Sequence, residues 1–329
     1  MVVLEPDPQG SPAMIRVHLE NQSVSVRRGA VPKRPASHAL IRLLCGGICN
    51  TDIELLRGYY GFAGTPGHEF IGEVVEADSG AWVGRRVAGE INLACGRCEW
   101  CARGLGRHCP RRSVLGIVRQ PGAFREFLIL PEENLVAVPD TVKTAHAVFI
   151  EPLAAACEIL EQVRIPKAAE VAVLGDGKLG LLIAQVLALH GASVHLYGRH
   201  RDKMRIVEPL GVEPRTGSER PAAAYAYTVE ATGSAEGLAT AVAMTQPRGT
   251  LILKSTVHGA VPIDTAPIIV NELTLVGSRC GRFAPAMKLL KGGRLQLDGM
   301  ISGEYALKDA VRAFERAQEP GVLKVLLHC

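Results

Sequence analysis

Four cysteines lie close together in the segment CGRCEWCARGLGRHC, which runs from residue 95 to residue 109. The first three are separated by two residues each, and such tight turns direct sulfur atoms toward one point, as tetrahedral zinc requires. Four protein ligands leave no open position for a substrate or water, so the spacing predicts a structural zinc site. Its predicted ligands are Cys95, Cys98, Cys101 and Cys109.

Two alternatives for this cluster stay open. A pair of disulfides would need an oxidising compartment, and the N-terminal residues MVVLEPDPQG lack the basic and apolar stretches of a secretory signal. His108 competes with Cys109 as the fourth ligand, although adjacent residues rarely both ligate and zinc favours the thiolate. We therefore expect a zinc ion held by four thiolates, in a cytoplasmic protein.

A second set of potential ligands is spread over the segments GICNTD, PGHEF and FIEPL. Cys49, His68 and Glu151 would supply one thiolate, one imidazole and one carboxylate, which makes a zinc site with an open fourth position. Zinc in such a site acts as a Lewis acid toward an alcohol or carbonyl oxygen. Each residue also has an ordinary structural explanation, since single cysteines pack in cores and Glu151 can cap a helix. The two ligand sets together predict two zinc ions per chain.

The segment GDGKLG, residues 175–180, has the spacing G-x-G-x-x-G and follows the apolar run VAVL. A strand before the glycines and a helix after them turn this weak pattern into a dinucleotide-binding signature. Glycines here permit a tight turn, close approach of a pyrophosphate and close packing of helix on strand. A glycine-rich turn in another kind of α/β protein is the alternative. The predicted cofactor contacts are Gly175, Gly177, Lys178, Leu179 and Gly180.

The second strand of this motif ends in SVHLYGRHRDK. Sites for NAD usually end that strand with Asp or Glu, which holds the ribose 2′-hydroxyl. Gly198 stands at that place, and Arg199, His200 and Arg201 follow with cations for a 2′-phosphate. The sequence therefore predicts NADP in preference to the alternative, NAD. The structural alternative is that the three bases are only the solvated start of a helix.

The elements that must position these residues change character near Glu151. Residues 12–145 are short apolar runs broken by Gly and Pro, which predicts a mostly β domain. After Glu151, strand and helix patterns alternate, which predicts a parallel sheet. The expected strands are 227–229, 250–254 and 273–276, and the expected helices are 238–244 and 285–291, before a last helix, LKDAVRAFERAQ, and a terminal strand, VLKVLL.

Length and charge set limits on domains and partners. At 329 residues the chain is long enough for two domains, which we expect at 1–150, completed by 285–329, and at 151–284. A net charge of only +4 disfavours nucleic acid and anionic membranes as partners. No apolar run reaches the length of a membrane span. We expect a small-molecule substrate.

Five motifs of this sequence occur in the same order, and at about the same spacing, as in one known family. The chain resembles the zinc-dependent alcohol dehydrogenases of the medium-chain dehydrogenase/reductase superfamily, through GICNTD, GHEFIGEVV, the cysteine cluster, EPLA and GDGKLG. The resemblance implies an α/β protein with a GroES-like β-rich catalytic domain and a Rossmann domain, whose parallel sheet is doubly wound. It also implies hydride transfer between NAD(P) and an alcohol or polyol and its carbonyl, in a homo-oligomer that is a dimer or a tetramer.

The resemblance assigns roles to the zinc ligands. Cys49 and His68 match the first two catalytic ligands, and Glu151 falls at the third. Glu69 matches an acid that lies behind the metal in relatives and becomes a transient ligand. Many alcohol dehydrogenases have cysteine at the third position, whereas the polyol, glucose and threonine dehydrogenase branches have glutamate. Glu151 therefore favours a polyol or sugar-like substrate slightly.

The same resemblance implies a proton path. Thr51 matches the hydroxyl residue that passes the substrate proton toward solvent, and Asp52 would orient the imidazole of His68. Many relatives continue the relay with a histidine, where this chain has Glu54. A structural alternative is that Thr51, Asp52, Ile53 and Glu54 form a helix capping box.

The sequence thus predicts a zinc-dependent oxidoreductase that prefers NADP. One rival is a biosynthetic NADPH-dependent carbonyl or imine reductase with the same fold. A rival of another class is a non-catalytic regulator that binds a nucleotide or zinc. Binding alone would not require Cys49, His68 and Glu151 together, which favours the enzyme.

Overall fold

The computed structural model of the protein describes residues 13–216, 220–256 and 261–329. The chain divides into two units. The first contains the chain up to Glu151 together with Met287–Gly293 and Ile301–Cys329, and the second contains Pro152–Ala286 and Arg294–Met300. Each unit is therefore built from segments that are distant in sequence.

Short strands dominate the chain before Glu151. They are β1 (Ala13–Glu20), β2 (Ser23–Ala30), β3 (His38–Ile48), β4 (Glu69–Glu76), β5 (Arg86–Gly89), β6 (Asn92–Leu93), β7 (Ser113–Leu115), β8 (Arg119–Gln120), β9 (Phe127–Pro131) and β10 (Leu135–Ala137). The helices of this part are short, and they are α1 (Asn50–Leu56), α2 (Glu99–Ala102) and α3 (Thr144–Ala147).

Helices and strands alternate in the next part of the chain. The helices are α4 (Ile150–Gln162), α5 (Lys178–His190), α6 (Arg201–Met204), α7 (Ala235–Met244) and α8 (Ala266–Val270). The strands are β11 (Glu170–Leu174), β12 (Ser193–Tyr197), β13 (Glu213–Arg215), β14 (Tyr225–Glu230), β15 (Thr245–Leu253) and β16 (Thr274–Gly277). Within the described ranges, no helix is long and apolar enough to cross a membrane.

The last part of the chain adds four elements, and these are α9 (Phe283–Gly292), β17 (Ile301–Ala306), α10 (Ala310–Ala317) and β18 (Lys324–His328). The strands expected after residue 220 correspond to β14, β15, β16 and β18, and the expected helices correspond to α7, α9 and α10. These element predictions are confirmed, because their apolar residues recur at the periods that strands and helices require.

The main sheet of the first unit has the order β10-β5-β4-β3-β18-β17 among the described residues, with β9 also paired to β3. Its central strand, HALIRLLCGGI, is largely buried, as neighbouring strands and side chains cover it. β3 runs antiparallel to β4 and to β18, with Gly47 opposite Glu69 and Ile48 opposite Val325. The C-terminal end of β3 therefore meets the start of β4 and of β18 at the point where Cys49 follows.

The sheet of the second unit is parallel throughout the residues that the structure describes. Its order is β13-β12-β11-β14-β15-β16. Counted from β11, this is the order 3-2-1-4-5-6 of a Rossmann sheet, in which ligands bind at the carboxyl ends of the strands. The predicted α/β fold class, a β-rich domain with a Rossmann domain, is confirmed.

Residues 294–300 belong to the second unit, although the sequence places them in the C-terminal tail that completes the first domain. Gln185 in α5 explains the difference. Its Oε1 accepts a hydrogen bond of 2.7 Å from the backbone N–H of Gln296, and its Nε2 lies 3.4 Å from Met300 Sδ. A buried amide in the middle of a helix thus anchors this segment.

Candidate active site

The four predicted cysteines of the loop between β6 and β7 converge. Their sulfur atoms all lie within 4.8 Å of one another, with Cys98 3.4 Å from Cys101 and 3.6 Å from Cys109. α2 starts directly after Cys98 and a 3₁₀ turn ends at His108, so two tight turns bring the sulfurs together. Hydrogen bonding led by the Cys95 backbone lowers the pKa of Cys109 to about 6, which favours a thiolate ready to bind metal.

This cysteine group fits tetrahedral zinc and needs no disulfide. All nine cysteines are free thiols. His108, the alternative fourth ligand, is not part of the group that the structure brings together, whereas Cys109 is fully buried within it. Four convergent thiols are the donor set of a closed zinc site.

A second convergent group forms at the end of β3, where ligand atoms of Cys49, His68 and Glu69 lie within 4.8 Å of one another. Antiparallel pairing of β3 with β4 causes the convergence, because Cys49 follows β3 while Glu69 begins β4. His68 and Glu69 are buried. One of their polar atoms, Glu69 Oε1, has no hydrogen-bond partner among the described residues. A buried, unpaired carboxylate oxygen beside a thiol and an imidazole fits a metal ion.

Asp52 contacts the imidazole of His68 and holds its orientation. It is fully buried, and its Oδ1 lies 3.5 Å from His68 Nδ1. Backbone N–H groups of Cys49 and Gly67 donate to its two carboxylate oxygens at 2.9 and 3.1 Å. Burial alone would lower the pKa of His68, but the Asp52 carboxylate and the Cys49 thiol raise it well above its usual value. Asp52 thus contacts the histidine as the sequence predicts.

Thr51 does not cap a helix. α1 begins at Asn50, its N-terminal cap is Cys49, and Asp52 rather than Glu54 closes the capping box. The capping box predicted for Thr51 to Glu54 is therefore wrong by two positions. Thr51 Oγ1 lies 3.8 Å from Cys49 Sγ, which leaves its hydroxyl beside the candidate metal group. Glu54 pairs with Arg57 at 2.9 Å on the surface.

Lys324 is a residue of this site that sequence reasoning missed. Both Lys324 and Glu69 are 1% exposed, and Lys324 Nζ donates a hydrogen bond to Glu69 Oε2. The ammonium group also lies 5.6 Å from the centre of the Phe149 ring. Burial alone would lower the pKa of Lys324, but Glu69 and Cys49 raise it. A single charge within the apolar run VLKVLL was the signal that could have identified it.

Glu151 is the predicted third ligand, and the structure does not place it in the convergent group. The residue lies in the first turn of α4, is 8% exposed, and belongs to the same unit as Cys49. The group within 4.8 Å contains Glu69 instead. The role of Glu151 as a metal ligand stays a prediction.

In the second unit, the glycine turn joins β11 to α5 in the predicted way. Gly175 has a φ of 117°, and a Cβ on it would lie 2.5 Å from the carbonyl oxygen of Ala231, so only glycine fits. Gly177 is the N-terminal cap of α5, no side chain caps the helix, and nothing lies within 4 Å of its Cβ position. Open backbone at a helix N-terminus fits the pyrophosphate of a dinucleotide.

The predicted cations after β12 have different surroundings. Arg201 pairs with Glu208 at 2.7 Å and donates to the Pro214 carbonyl, so its guanidinium is already engaged. The ring of His200 donates a hydrogen bond from Nδ1 to Asp176 Oδ2 at 3.0 Å. Arg199 has an exposed side chain, and its guanidinium makes no hydrogen bond or ion pair with the described residues.

Asp176, the variable residue of the glycine motif, is a second residue that the sequence analysis missed. Its Oδ2 accepts hydrogen bonds from the backbone N–H groups of Arg199 at 2.7 Å and His200 at 2.6 Å. A Cβ on Gly198 would lie 2.6 Å from Asp176 Oδ2. The carboxylate therefore occupies the space that a side chain at position 198 would need.

Two protein-family models match this chain. The alcohol dehydrogenase GroES-like domain matches residues 35–140, and the zinc-binding dehydrogenase matches residues 179–292. The first range contains both groups of convergent ligands, whereas Glu151 lies outside it. The second contains Gly180 and the end of β12.

Relatives align over most of the chain. A sorbitol dehydrogenase from Halalkalibacterium halodurans is 29% identical over 320 residues, covering 89% of this chain and 92% of that protein. A D-arabitol-phosphate dehydrogenase from Enterococcus avium is 28% identical, covering 91% and 92%.

A solved structure is also similar. The zinc-binding dehydrogenase of Sinorhizobium meliloti 1021 bound to NADP has a TM-score of 0.89 at 29% identity, covering 96% of this chain and 99% of that one. Since the family models and these relatives together match both units, the chain belongs to the zinc-dependent alcohol dehydrogenase family of the medium-chain dehydrogenase/reductase superfamily.

Proposed function

We propose that this dehydrogenase interconverts a polyol or related alcohol and its carbonyl compound, with NAD(P) as hydride carrier and with Cys49 and His68 as ligands of a catalytic zinc. The convergence of Cys49, His68 and Glu69 at the start of β4 carries the proposal. Names of the relatives, sorbitol and D-arabitol-phosphate dehydrogenase, support a polyol as the substrate class. Glutamate at position 151 supports the same class.

The metal site needs three protein ligands and an open position. Cys49 and His68 supply two, and we assign the third to Glu151, the ligand that the family resemblance implies. A zinc ion held there would supply Lewis-acid activation of an alcohol or carbonyl oxygen. Glu69 adds a carboxylate beside the same group, and its Oε1 is the oxygen that Lys324 leaves without a hydrogen bond. The cysteine group is proposed to hold the second zinc of the chain.

Three side chains of α1 and its N-terminus have separate tasks. Asp52 keeps the imidazole of His68 in place through a fully buried carboxylate that two backbone N–H groups hold. Thr51 Oγ1 accepts the proton that leaves the substrate hydroxyl and donates it onward. Glu54, which is paired with Arg57, takes no part in this transfer.

The cofactor is proposed to bind along the glycine turn and the end of β12. Backbone N–H groups at Gly177, Lys178 and Leu179 meet the pyrophosphate, because α5 starts there without a side-chain cap. NADP, which the sequence favours, needs free cations near the 2′-phosphate, and among Arg199, His200 and Arg201 only Arg199 makes no ion pair with a described residue. The Sinorhizobium meliloti relative is bound to NADP. The choice between NAD and NADP therefore depends on Asp176 as much as on the basic run.

A homo-oligomer, either a dimer or a tetramer, is proposed from one edge of the Rossmann sheet. β16 is the edge strand in the order of the described strands, and it exposes Leu275 at 37%. Ile269 and Val270 of the neighbouring α8 are 70% and 79% exposed. An exposed apolar edge strand is a template for pairing with another chain. Nine free thiols support the cytoplasm as the compartment.

A substrate panel tests the proposed activity. Purified enzyme with zinc should reduce NAD(P) with at least one polyol or polyol phosphate faster than with simple primary alcohols, followed by nicotinamide absorbance. Aldehydes and ketones with reduced cofactor test the opposite direction and the reductase alternative. Cofactor turnover with none of these compounds would contradict the proposal.

The two metal groups should respond differently to substitution. Cys98→Ser should remove one zinc per chain and lower the free energy of unfolding, because structural zinc contributes to folding. His68→Ala should abolish turnover with a smaller loss of stability, since its site keeps one coordination position for substrate. Elemental analysis and urea unfolding measure both effects. Retention of two zinc ions by both variants would contradict these assignments.

Thr51 provides a test of the proton path. Thr51→Val keeps the shape without the hydroxyl and should lower kcat by about 10²- to 10⁴-fold, the usual range for general acid–base assistance. Thr51→Ser, the matched control, should keep most of kcat. If Thr51→Val retains the kcat and the pH profile of the unaltered enzyme, Thr51 does not carry the proton.

The effects of Lys324 and Glu69 on stability should be coupled, because each side chain neutralises the buried charge of the other. Lys324→Met leaves Glu69 as a buried charge without its partner, which typically costs about 3–5 kcal/mol of unfolding free energy. Adding Glu69→Gln removes that charge and should restore part of the loss. Urea unfolding of both single variants and the double variant gives the coupling energy. Additive losses would show that the two side chains do not interact.

A further inference from the structure

The acid that NAD sites place at the end of the second strand is missing from position 198, yet a carboxylate occupies that place. It belongs to Asp176, which projects from the glycine turn after β11. The parallel neighbours β11 and β12 end side by side, so a side chain from the first turn reaches the end of the second strand. Asp176 is only 12% exposed there.

Asp176 is held by donors that a bound phosphate would use. Its Oδ2 accepts from the backbone N–H groups of Arg199 and His200 and lies 3.0 Å from the His200 ring nitrogen. Successive backbone N–H groups together with a cation can bind a phosphate group. In this protein an internal carboxylate already satisfies all three.

We infer that Asp176 takes the place of the 2′-phosphate and that the enzyme therefore uses NAD in preference to NADP. The inference depends on the proposed cofactor site. A 2′-phosphate would have to displace Asp176 from its three donors or lie beside a second anion, and either change disfavours NADP. The ribose 2′-hydroxyl of NAD carries no charge, and Asp176 Oδ1 is left to accept its hydrogen bond.

Charge and space both support this assignment. Burial raises the pKa of Asp176, but hydrogen bonds from His200 and Arg199 outweigh it and hold the pKa below its usual value, so the group is ionised at neutral pH. Any side chain at position 198 would collide with it. Gly198 is thus the partner that Asp176 requires. Position 198 suggests that this site lacks an acid. The site does contain one, but it comes from position 176.

Arg199 is the residue that would favour binding of NADP over NAD. Its exposed guanidinium is the one predicted cation that no described residue engages, and it would attract a 2′-phosphate. An exposed cation is screened by solvent and salt. Asp176 is only 12% exposed and is held by two backbone N–H groups, so we expect its effect on cofactor preference to exceed that of Arg199.

Direct binding separates this inference from the proposed activity. The dissociation constants of NADH and NADPH, measured by nicotinamide fluorescence on the zinc-loaded enzyme at one salt concentration, give the preference without turnover. The unaltered protein should bind NADH about tenfold or more tightly than NADPH, given the value of hydrogen bonds to charged groups. Asp176→Ser frees the donors and should shift the ratio toward NADPH by at least about tenfold.

Three further variants make the comparison specific. Asp176→Asn keeps the shape and removes the charge, so its ratio should lie between those of the unaltered protein and Asp176→Ser. Asp202→Asn removes a charge from the same segment, where the side chain is 94% exposed, and should leave the ratio unchanged. The double variant Asp176→Gly with Gly198→Asp removes the Cβ and the carboxylate that fill the space beside position 198. It moves the acid to its usual place and should restore NADH preference.

Each outcome decides one point. If the unaltered protein does not bind NADH more tightly than NADPH, or if Asp176→Ser has the same ratio of dissociation constants as the unaltered protein, Asp176 does not have this role. Failure of every variant to bind either cofactor overturns the proposed function instead. Circular dichroism and zinc content of Asp176→Ser show that a changed ratio does not arise from loss of the fold.

Discussion

The catalytic part of this protein depends on the register of β3 between β4 and β18. Gly47 opposite Glu69 and Ile48 opposite Val325 place Cys49, His68, Glu69 and Lys324 at one end of the sheet. A slip by a single residue would turn every side chain of a strand to the opposite face. The apolar residues of β3 oppose such a slip, because most of them are buried in the present register. Ordinary core packing thus fixes the position of the proposed ligands.

Buried charge in this site is tolerated only because each group has a partner. An unpaired ion in a protein interior is costly. Glu69 and Lys324, both almost inaccessible to solvent, neutralise each other, while Asp52 has two backbone N–H donors. What stays unsatisfied is Glu69 Oε1. His68 Nδ1 faces Asp52 at 3.5 Å, which leaves Nε2 of the same ring as the nitrogen that could bind a metal.

The sequence predicted features that depend on residues close together in the chain better than contacts between residues that are far apart in it. The cysteine group and the glycine turn are local, and residue type and spacing predicted both. Periodicity predicted the elements of the Rossmann sheet. Lys324 could not be placed, because it reaches Glu69 only through the pairing of a strand near the C-terminus with β3. The capping box failed for a local reason, since Cys49 and Asp52 supplied an earlier cap than the Thr51 pattern suggested.

The end of β12 shows why position along the chain is a weaker guide than position in space. The rule for NAD sites counts residues from the glycines to an acid on the second strand. Adjacent strands of a sheet lie only about 4.8 Å apart. A carboxylate on the turn after β11 therefore reaches the same place as one on β12. Once Asp176 lies there, glycine at 198 is a steric consequence and gives no independent support for NADP. A sequence test for this site has to consider the variable residue of G-x-G together with the residue that ends the second strand.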